Sequence, residues 1–559
     1  MISKHAFVAA SAIAVMAMCP IARAQSGTPG TPGAPDRIDV STVAVSHKAS
    51  GLSSNWNKDA AFYEIFVRSF KDSDGDGIGD FKGLTSQLDY LQGLGITGIW
   101  LMPMMPSQDH DHGYAVNDYR AVNPDYGTMA DFEEFVREAH KRGIGVILDF
   151  VCNHAGSGNA IFQSAALSKT SPYRDWFVFS DKNPGWYDAK IRGQNGAYWN
   201  DPWVPAEKVV PGGQGLFYGV FSRQMPDWNM KNPKVVTYLQ DTMRFWMNKG
   251  VDGFRLDAVT MLLEDGPKSY FNNPGNPAVV GKLKAALDEY DNRYMICEAS
   301  EGAPMYTGSC DAFAYGTQGF IEDSARKGAL QAGLVKQMQL PDHDKMPLAL
   351  QSHDSYVGDR LINQFGVNGQ ADYKVSAAIS ILASAKPFSY YGEEIGMSNG
   401  GTYNDPGLRS PMSWTGQIRT AGFTTGKPYR DVAINVADMN VADEAGDPGS
   451  LLEYYRALYT VRRAHPVIGY GELKLKSKAD DPALVFTRSD GKDTAAVLIN
   501  LSDRAQDISV DVGAPDAAFS QVFHVIAAPA DPVAKSDDKG HLLTRVPPKS
   551  VQVFIRDGG

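Results

Sequence analysis

The sequence predicts an α/β protein built on a (β/α)8 barrel and followed by a C-terminal antiparallel β-sandwich domain. Short apolar runs alternate with amphipathic helical stretches about eight times, which is the pattern of a closed parallel barrel. Beyond Pro466 the pattern changes to short alternating strands separated by turn residues, as in antiparallel β domains. The chain has 559 residues, which is too long for one hydrophobic core, so more than one domain is expected.

Each element of the barrel follows from local sequence. The runs that predict barrel strands span 61–70, 96–103, 146–153, 253–259, 294–299, 312–315, 348–353 and 387–391. Amphipathic patterns predict helices at 129–142, 233–249, 279–290, 372–385 and 451–464, the last of which closes the barrel. Segment 155–232 is rich in Gly, Pro, Trp and Asn, and a structureless loop of that length is unusual. It therefore predicts a small inserted subdomain after strand 3.

The N-terminus has the pattern of an export signal. Lys4 supplies a positive start, residues 7–18 form a short apolar core, and Ala22-Arg23-Ala24 matches a cleavage site before Gln25. We expect an exported protein, in the periplasm or outside the cell. The predicted boundaries are 1–24 for the signal peptide, 25–54 for a flexible linker, 55–465 for the barrel and 466–559 for the C-terminal domain.

Composition excludes some partners and leaves others open. The formal net charge is -11, so there is no basic surplus to neutralise the phosphates of a nucleic acid. No segment is apolar and long enough to predict a lasting membrane span. Three cysteines remain after signal cleavage, and one bridge, Cys297 with Cys310, is possible but not required. The sequence does not indicate an oligomeric state.

Acidic residues follow four of the predicted strands. The segments are Asp149–His154, Gly253–Asp257, Ile296–Glu298 and Gln351–Asp354. Functional groups of such barrels lie at the carboxyl ends of the strands, and breaking a glycosidic bond takes two carboxyl groups. A lone Asp after a strand is more often a helix cap, but four such endings in barrel order favour a catalytic site.

These segments resemble the signature motifs of the α-amylase superfamily, glycoside hydrolase family 13. The family pattern D-x-V-x-N-H matches Asp149–His154, G-x-R-x-D matches Gly253–Asp257, its lone Glu matches Glu298, and its H-D pair matches His353 and Asp354. Three supporting motifs also agree, namely Gly95–Pro103, Met225–Asn229 and Gly392–Gly396. The resemblance runs from about Trp56 to the C-terminus.

The resemblance implies roles for individual residues. Asp257 would be the nucleophile, Glu298 the acid and then the base, and Asp354 the group that binds sugar hydroxyls and distorts the ring. The remaining residues implied in substrate binding are Arg255, which would keep Asp257 ionised, His154 and His353 as hydrogen-bond donors, and Tyr114 as the platform under the sugar.

A loop after the first strand predicts a calcium site. Asp72, Asp74, Asp76 and Asp80 alternate with glycines, so that carboxylate oxygens and the Ile78 carbonyl could converge on one hard cation. Position twelve is Gly83 rather than Glu, so the loop is not a full EF-hand. Oligosaccharide-cleaving members of the family carry a similar loop, and the resemblance implies Ca2+ as the cofactor.

The residues around the acids indicate different substrates. Ala258 and His112 resemble α-1,4-cleaving amylases, whereas Asp111 and Arg409 resemble the pair that holds the terminal glucose in exo-acting α-glucosidases. The resemblance favours an α-amylase-type hydrolase of starch-type α-glucans or maltooligosaccharides. The alternative is an exo-acting α-glucosidase, an oligo-1,6-glucosidase or a glucosyl-transferring relative of the trehalose synthase type. Relatives that only bind sugars have lost the catalytic acids that are present here.

Overall fold

The computed structural model describes residues 38–186, 202–402, 404–524, 533–556 and 558. The predicted signal peptide, 1–24, and residues 25–37 of the predicted linker lie outside the described residues. Residues 187–201 of the predicted inserted subdomain and 525–532 of the predicted C-terminal domain lie outside them as well.

A parallel sheet forms the wall of the barrel. Its strands in the described chain are β1 Phe62–Ile65, β2 Gly98–Leu101, β3 Gly145–Phe150, β7 Gly253–Leu256, β8 Tyr294–Cys297, β9 Asp311–Ala312 and β10 Phe388–Tyr390. Their order is β10-β1-β2-β3-β7-β8-β9, and every pair is parallel. Ala349 adds an isolated parallel bridge to Phe388, so segment 348–353 takes the remaining strand position. The predicted (β/α)8 architecture is confirmed.

Helices follow the strands, and side-chain caps fix where several of them begin. They are α1 Val67–Phe70, α2 Phe81–Ser86, α3 Leu88–Leu94, α4 Met129–Lys141, α5 Ala160–Leu167, α6 Pro233–Met247, α7 Asn276–Leu287, α8 Thr317–Lys327, α9 Ala332–Met338, α10 Leu361–Phe365, α11 Gln370–Ala383, α12 Asp405–Leu408, α13 Val441–Glu444, α14 Leu451–Ala464 and α15 Val467–Tyr470. Thr128 and Asp131 form a reciprocal capping box at the start of α4. Asn232 caps α6, where Pro233 takes the first turn, and Ser450 caps α14.

Large apolar side chains fill the barrel interior below the strand ends. Phe62, Trp100, Ile296 and Phe388 belong to one buried cluster, and the rings of Phe62 and Phe388 stack at 4.5 Å. Such layers of side chains make the barrel a packed core rather than a pore. These packed layers support the carboxyl ends of the strands, where the polar residues lie.

The insertion after β3 carries a small antiparallel sheet. Its strands are β4 Phe179–Ser180, β5 Trp203–Pro205 and β6 Leu216–Tyr218, in the order β4-β6-β5. An isolated bridge of His154 with Asp227 joins the segment after β3 to the last part of the insertion, and a second bridge, Phe177 with Trp228, lies within the insertion. The insertion is therefore tied to the strand end that carries a predicted site motif.

The C-terminal strands form two antiparallel sheets around a second core. They are β11 Glu472–Leu475, β12 Ala483–Ser489, β13 Thr494–Asn500, β14 Gln506–Asp511, β15 Ala518–His524, β16 Val533–Lys535, β17 His541–Val546 and β18 Val551–Arg556. Within the described residues, one sheet has the order β11-β12-β13-β18-β15-β16, and β14 pairs with β17. Leu498, Phe519 and Leu542 come from both sheets and share one buried cluster. The predicted C-terminal β-sandwich is confirmed.

Three local expectations differ from the structure. From Asp39 onward the predicted flexible linker packs on the chain that follows, because Arg120 Nη2 donates to Ser41 O at 3.0 Å and Asn248 Nδ2 donates to Ala44 O at 2.8 Å. The predicted strand 61–70 is a strand only to Ile65 and then turns into α1. Segment 348–353 forms only the Ala349 bridge, because the Leu348 amide donates to the Ser384 side chain instead.

No helix in the described ranges is both long enough and apolar enough to cross a membrane.

Candidate active site

Neighbouring strand ends bring the sequence motifs together. In the parallel register Asp149 of β3 lies opposite Arg255 of β7, and Leu256 of β7 lies opposite Cys297 of β8. Asp257 and Glu298 are the residues that directly follow β7 and β8. The two carboxyl groups therefore leave the barrel wall side by side at its carboxyl edge.

Arg255 is fully buried between three carboxyl groups. Its Nη1 donates to Asp257 Oδ1 at 2.7 Å and to both oxygens of Asp149 at 3.0 and 2.9 Å. Its Nη2 lies 3.0 Å from Glu298 Oε2. One planar guanidinium thus aligns Asp257 and Glu298, the two acids that the sequence motifs predict to be the nucleophile and the acid/base.

Burial sets the charge balance of this group. It raises the pKa of Asp257 well above its ordinary value, and the carboxyls of Glu298 and Asp149 add to the rise while Arg255 opposes it. Burial also raises the pKa of Asp149 to about 6, again against the pull of Arg255. One cation cannot neutralise three buried carboxylates, so the group as a whole favours keeping a proton.

Two hydrogen bonds orient Glu298 from opposite sides. The Ala258 amide donates to Oε2 at 2.9 Å, and the Tyr356 hydroxyl donates to Oε1 at 2.5 Å. Ala258 reaches this position because it adopts a left-handed conformation with φ 47°, which is uncommon for a residue with a side chain. The turn after Asp257 therefore aims a backbone donor at the neighbouring acid.

His353 carries a positive charge between two acids. Burial lowers its pKa, but Asp354 and Glu64 outweigh this effect and raise the pKa to about 10. Nδ1 lies 2.5 Å from Glu64 Oε1, and Nε2 lies 3.1 Å from Asp354 Oδ2. Burial would raise the pKa of Asp354, yet His353 and then Arg409 bring it below its ordinary value. Asp354 is thus ionised at neutral pH.

The predicted platform and the first-motif histidine also lie at the site. The Tyr114 hydroxyl donates to Asp149 Oδ2 at 2.9 Å, and the Tyr114 ring stacks on His353 with 5.5 Å between centroids. His154 is buried, and this burial lowers its pKa to about 3, so its imidazole is neutral. Its Nε2 is buried and has no hydrogen-bond partner in the described part of the chain.

The predicted pair Asp111 and Arg409 lies beyond Asp354. Arg409 Nη2 is 3.0 Å from Asp354 Oδ1, whereas Arg409 Nη1 is 3.9 Å from Asp111 Oδ2. Asp111 has a closer cation, because Arg430 Nη2 donates to its Oδ1 at 2.6 Å. The sequence interpretation missed Arg430. The four side chains form a row of alternating charge, Asp354, Arg409, Asp111 and Arg430, that begins at a predicted catalytic carboxyl.

A disulfide closes the loop behind Glu298. Cys297, the last residue of β8, is bonded to Cys310, thirteen residues later in the chain. The sequence left this pairing open. The bridge joins the strand that carries Glu298 to the residue before β9, so it limits the freedom of the acid's backbone.

The acidic loop after α1 can hold a cation. Ligand oxygens of Asp72, Asp74 and Asp80 all lie within 4.8 Å of one another. Backbone amides order these carboxylates, for example Gly77 N, which donates to Asp72 Oδ2 at 2.8 Å. Asp76, also a predicted ligand, accepts from the Ile78 amide at 2.7 Å in the same loop. Converging carboxylates on a glycine-rich turn match the oxygen ligands that hard cations prefer, so the residues present fit a metal ion.

Three further residues at the site went unrecognised in the sequence. Glu64 is the third of the four residues of β1, so a search for acids near strand ends, rather than only after them, could have found it. Tyr356 and Arg430 carry no such signal. Tyr356 is 58 residues from Glu298 in the chain, and Arg430 is 319 residues from Asp111. Only the folded barrel brings these pairs together.

Comparison with known families agrees with this geometry. The model of the α-amylase catalytic domain matches residues 64–471, which is most of the chain. The chain belongs to the α-amylase family. As a member of this family it is an enzyme that acts on glycosidic bonds. The matched range begins inside β1 and covers the rest of the barrel, its insertion and the site motifs described above.

Relatives within the α-amylase family carry different names. The chain is 32% identical to Alpha-amylase 3 of Dictyoglomus thermophilum over 482 residues, covering 82% of this chain and 87% of that protein. It is 31% identical to the oligo-1,6-glucosidase of Parageobacillus thermoglucosidasius, covering 80% and 91%. The crystal structure of the alpha-amylase from H. orenii matches with a TM-score of 0.75 and 31% identity, covering 90% of this chain and 100% of that chain.

Proposed function

We propose that the protein is a retaining hydrolase of α-1,4-glucosidic bonds in maltooligosaccharides and starch-type glucans, an enzyme of the α-amylase type. The observation that carries the proposal is that one Arg255 guanidinium holds both carboxyl groups, with Asp257 Oδ1 at 2.7 Å from Nη1 and Glu298 Oε2 at 3.0 Å from Nη2. Two carboxyl groups on the same guanidinium lie close to each other, which suits a double displacement, since inverting glycosidases need a wider gap for water.

In the first step the Asp257 carboxylate attacks the anomeric carbon and forms a covalent glycosyl ester. The bond from that carbon to the glycosidic oxygen breaks, and Glu298 gives its proton to the departing oxygen. The Arg255 guanidinium, which contacts both carboxyl groups, keeps the acid and the nucleophile aligned for this transfer. The Ala258 and Tyr356 donors fix the direction of the acid.

In the second step Glu298, now a carboxylate, takes a proton from water. The water oxygen bonds to the anomeric carbon, the ester to Asp257 breaks, and the product keeps its original configuration. The ionised Asp354 and the charged His353 bind the hydroxyls of the same sugar and support the distorted, positively charged ring. His154, whose Nε2 is unpartnered in the described chain, supplies a further hydrogen bond.

The proposed α-1,4 preference rests on two residues near the acids and on the names of relatives. Ala258 after the nucleophile and His112 beside Tyr114 are the residues that favour α-1,4 cleavage, and two of the relatives above are named alpha-amylases. A second candidate is an exo-acting α-glucosidase. The alternating row Asp354, Arg409, Asp111 and Arg430 favours it, because such a row beside the site can hold a chain end.

We also propose Ca2+ at the acidic loop and export of the protein. Asp72, Asp74, Asp76, the Ile78 carbonyl and Asp80 would hold the ion, which would neutralise the loop and stabilise it. Export rests on the N-terminal signal pattern and agrees with the Cys297–Cys310 bridge, because disulfides persist in oxidising compartments.

Product analysis tests the proposed function. The purified enzyme is incubated with maltoheptaose and, separately, with an α-1,6-linked isomaltooligosaccharide of similar length. We expect maltoheptaose to be cleaved at least ~10-fold faster, and Asp257→Asn to reduce cleavage by about 10⁴-fold or more. Asp323→Asn, at a half-exposed position on α8, is the matched control and should retain full activity. No cleavage of maltoheptaose, or undiminished cleavage by Asp257→Asn, would overturn the proposal.

A further inference from the structure

We infer that Arg430 is a specificity-determining positioning residue that fixes Asp111 so that the site selects the free non-reducing end of a maltooligosaccharide. This inference rests on the proposed function and adds to it the part of the glucan chain that enters the site. No sequence motif indicates a role for Arg430. The contacts of Asp111 in the structure identify it.

Asp111 depends on Arg430 for its position. Arg430 Nη2 donates to Asp111 Oδ1 at 2.6 Å, which is a short charge-assisted hydrogen bond. Arg409 Nη1 lies 3.9 Å from the other oxygen, Oδ2, which is beyond hydrogen-bond range. Of the two arginines beside Asp111, Arg430 is therefore the one that holds it.

Arg409 is committed to the catalytic side of the row. Its Nη2 lies 3.0 Å from Asp354 Oδ1 and 3.6 Å from Asp405 Oδ2. Its Nε donates to the His353 carbonyl at 3.0 Å. These contacts fix the guanidinium toward Asp354, so Arg409 cannot turn to Asp111 without breaking them.

Arg430 is itself held in place. Its Nη1 donates to the Pro406 carbonyl at 2.9 Å, and its guanidinium lies 5.2 Å from the centre of the Tyr429 ring. The Tyr429 hydroxyl lies 2.7 Å from Ser69 Oγ, on α1. The Arg430 side chain is 14% exposed, so its bond to Asp111 is largely shielded from water. A pre-positioned guanidinium loses little entropy when it orients a carboxylate.

The arrangement leaves one oxygen of Asp111 for substrate. Oδ1 is taken by Arg430, whereas among the described residues Oδ2 has only the long contact to Arg409, and the Asp111 side chain is 26% exposed. A carboxylate oxygen accepts hydrogen bonds and donates none. The terminal glucose of a chain offers a hydroxyl hydrogen there, while an internal glucose has a glycosidic oxygen without hydrogen. A positioned acceptor therefore favours the chain end.

The test compares two substrates that differ only at the non-reducing end. One is maltopentaose, and the other is maltopentaose whose terminal glucose carries a 4,6-O-alkylidene block, so that its 4-hydroxyl is absent. The quantity measured is the ratio of kcat/KM for the free substrate to kcat/KM for the blocked one. A partly unfolded variant loses both rates in proportion, so the ratio reports specificity and not the folded fraction.

The variants are Arg430→Gln, Arg430→Lys, Asp111→Asn and the double variant Asp111→Asn/Arg430→Gln. We expect the wild type to prefer the free substrate and Arg430→Gln to lower the ratio by about 10-fold or more, mainly through a higher KM for the free substrate. Arg430→Lys should restore part of the ratio, since it keeps the charge. The double variant should match Asp111→Asn alone, because Arg430 acts through Asp111.

Three results would overturn the inference. An unchanged ratio in Arg430→Gln would show that Arg430 does not set the selection, and additive losses in the double variant would show that it does not act through Asp111. A wild type that cleaves both substrates equally also overturns it, while leaving α-1,4 hydrolysis intact. A wild type that cleaves neither substrate contradicts the proposed function instead.

Discussion

Tyr356 donates its hydroxyl hydrogen to Oε1 of Glu298 at 2.5 Å. The opposite oxygen already accepts from the Ala258 amide, so the hydroxyl decides how the acid faces the leaving group. We expect Tyr356→Phe to lower kcat by roughly 10- to 100-fold with a small change in KM, because the carboxylate that Glu298 becomes between the two steps loses this hydrogen bond, and hydrogen bonds to charged groups contribute about 1.5–3 kcal/mol. Steady-state kinetics on maltotriose measures both constants.

Tyr315→Phe is the matched control for this prediction. The Tyr315 ring contacts Tyr356 edge to face at 5.7 Å, so the variant removes a nearby hydroxyl and keeps the packing. Its kcat should stay within about threefold of the wild type. If Tyr356→Phe is as active as this control, the hydroxyl does not orient the acid.

Buried acids behind β10 make the fold sensitive to high pH. Burial raises the pKa of Glu393 and of Glu444 to about 8 in each case, and neighbouring Glu394 adds to the rise. Since these folded-state values exceed the ordinary value of 4.5, the stability they contribute is full below pH 4.5 and is lost as the pH rises through 8. Urea unfolding between pH 5 and pH 9 should show the free energy of unfolding falling by a few kcal/mol, as an order of magnitude.

Glu444→Gln isolates part of this effect. The amide cannot ionise, and its oxygen can keep the hydrogen bond that the Leu452 amide donates at 3.0 Å. The slope of stability against pH should therefore be shallower in the variant than in the wild type. Equal slopes would mean that Glu444 is already ionised in the folded protein at neutral pH.

The acidic loop should lose stability when divalent cations are removed. An ion bound only by the folded state contributes about 2.7 kcal/mol at a concentration of 100 times its Kd. We expect a chelator to lower Tm by several degrees and added Ca2+ to restore it. Asp74→Asn, at an exposed position of the loop, should show a much smaller response to the chelator. A metal-free wild type with undiminished Tm contradicts a calcium site.

The Cys297–Cys310 bridge should stabilise the barrel. A closed loop of this length contributes roughly 3 kcal/mol by restricting the unfolded chain, and the residues are thirteen apart. We expect Cys297→Ser/Cys310→Ser to lower the free energy of unfolding by about 2–4 kcal/mol. Wild-type protein treated with a reductant should move toward the double variant, and identical stabilities of oxidised protein and variant would contradict this contribution.

Much of the barrel could be predicted because its strands are short, buried and apolar on both faces. The run 294–299 predicted β8 closely, and helix α14 begins and ends where the pattern placed it, since Ser450 caps its start. The failures have local causes. Segment 348–353 reads as a strand, but the Leu348 amide bonds to Ser384, and residues 39–54 lack an apolar pattern yet pack through backbone hydrogen bonds.

The residues of the site also fall into those that the sequence predicts and those that it does not. Asp257, Glu298 and Asp354 lie in short motifs at strand ends, so the local sequence marks them. Arg430 and Tyr356 matter through one contact each with a residue far along the chain, and no local pattern encodes such a contact. The substrate range depends on these distant contacts, which explains why motifs predict the chemistry more closely than the specificity.

The central claim is that hydrolysis proceeds by double displacement on Asp257. Proton NMR of the first product anomers from maltotriose tests it most directly, because the spectrum is read before mutarotation mixes them. The account predicts that the α-anomer appears first and the β-anomer grows in only later. Initial release of the β-anomer would mean inversion by a single displacement and would contradict the assignment of Asp257 as the nucleophile.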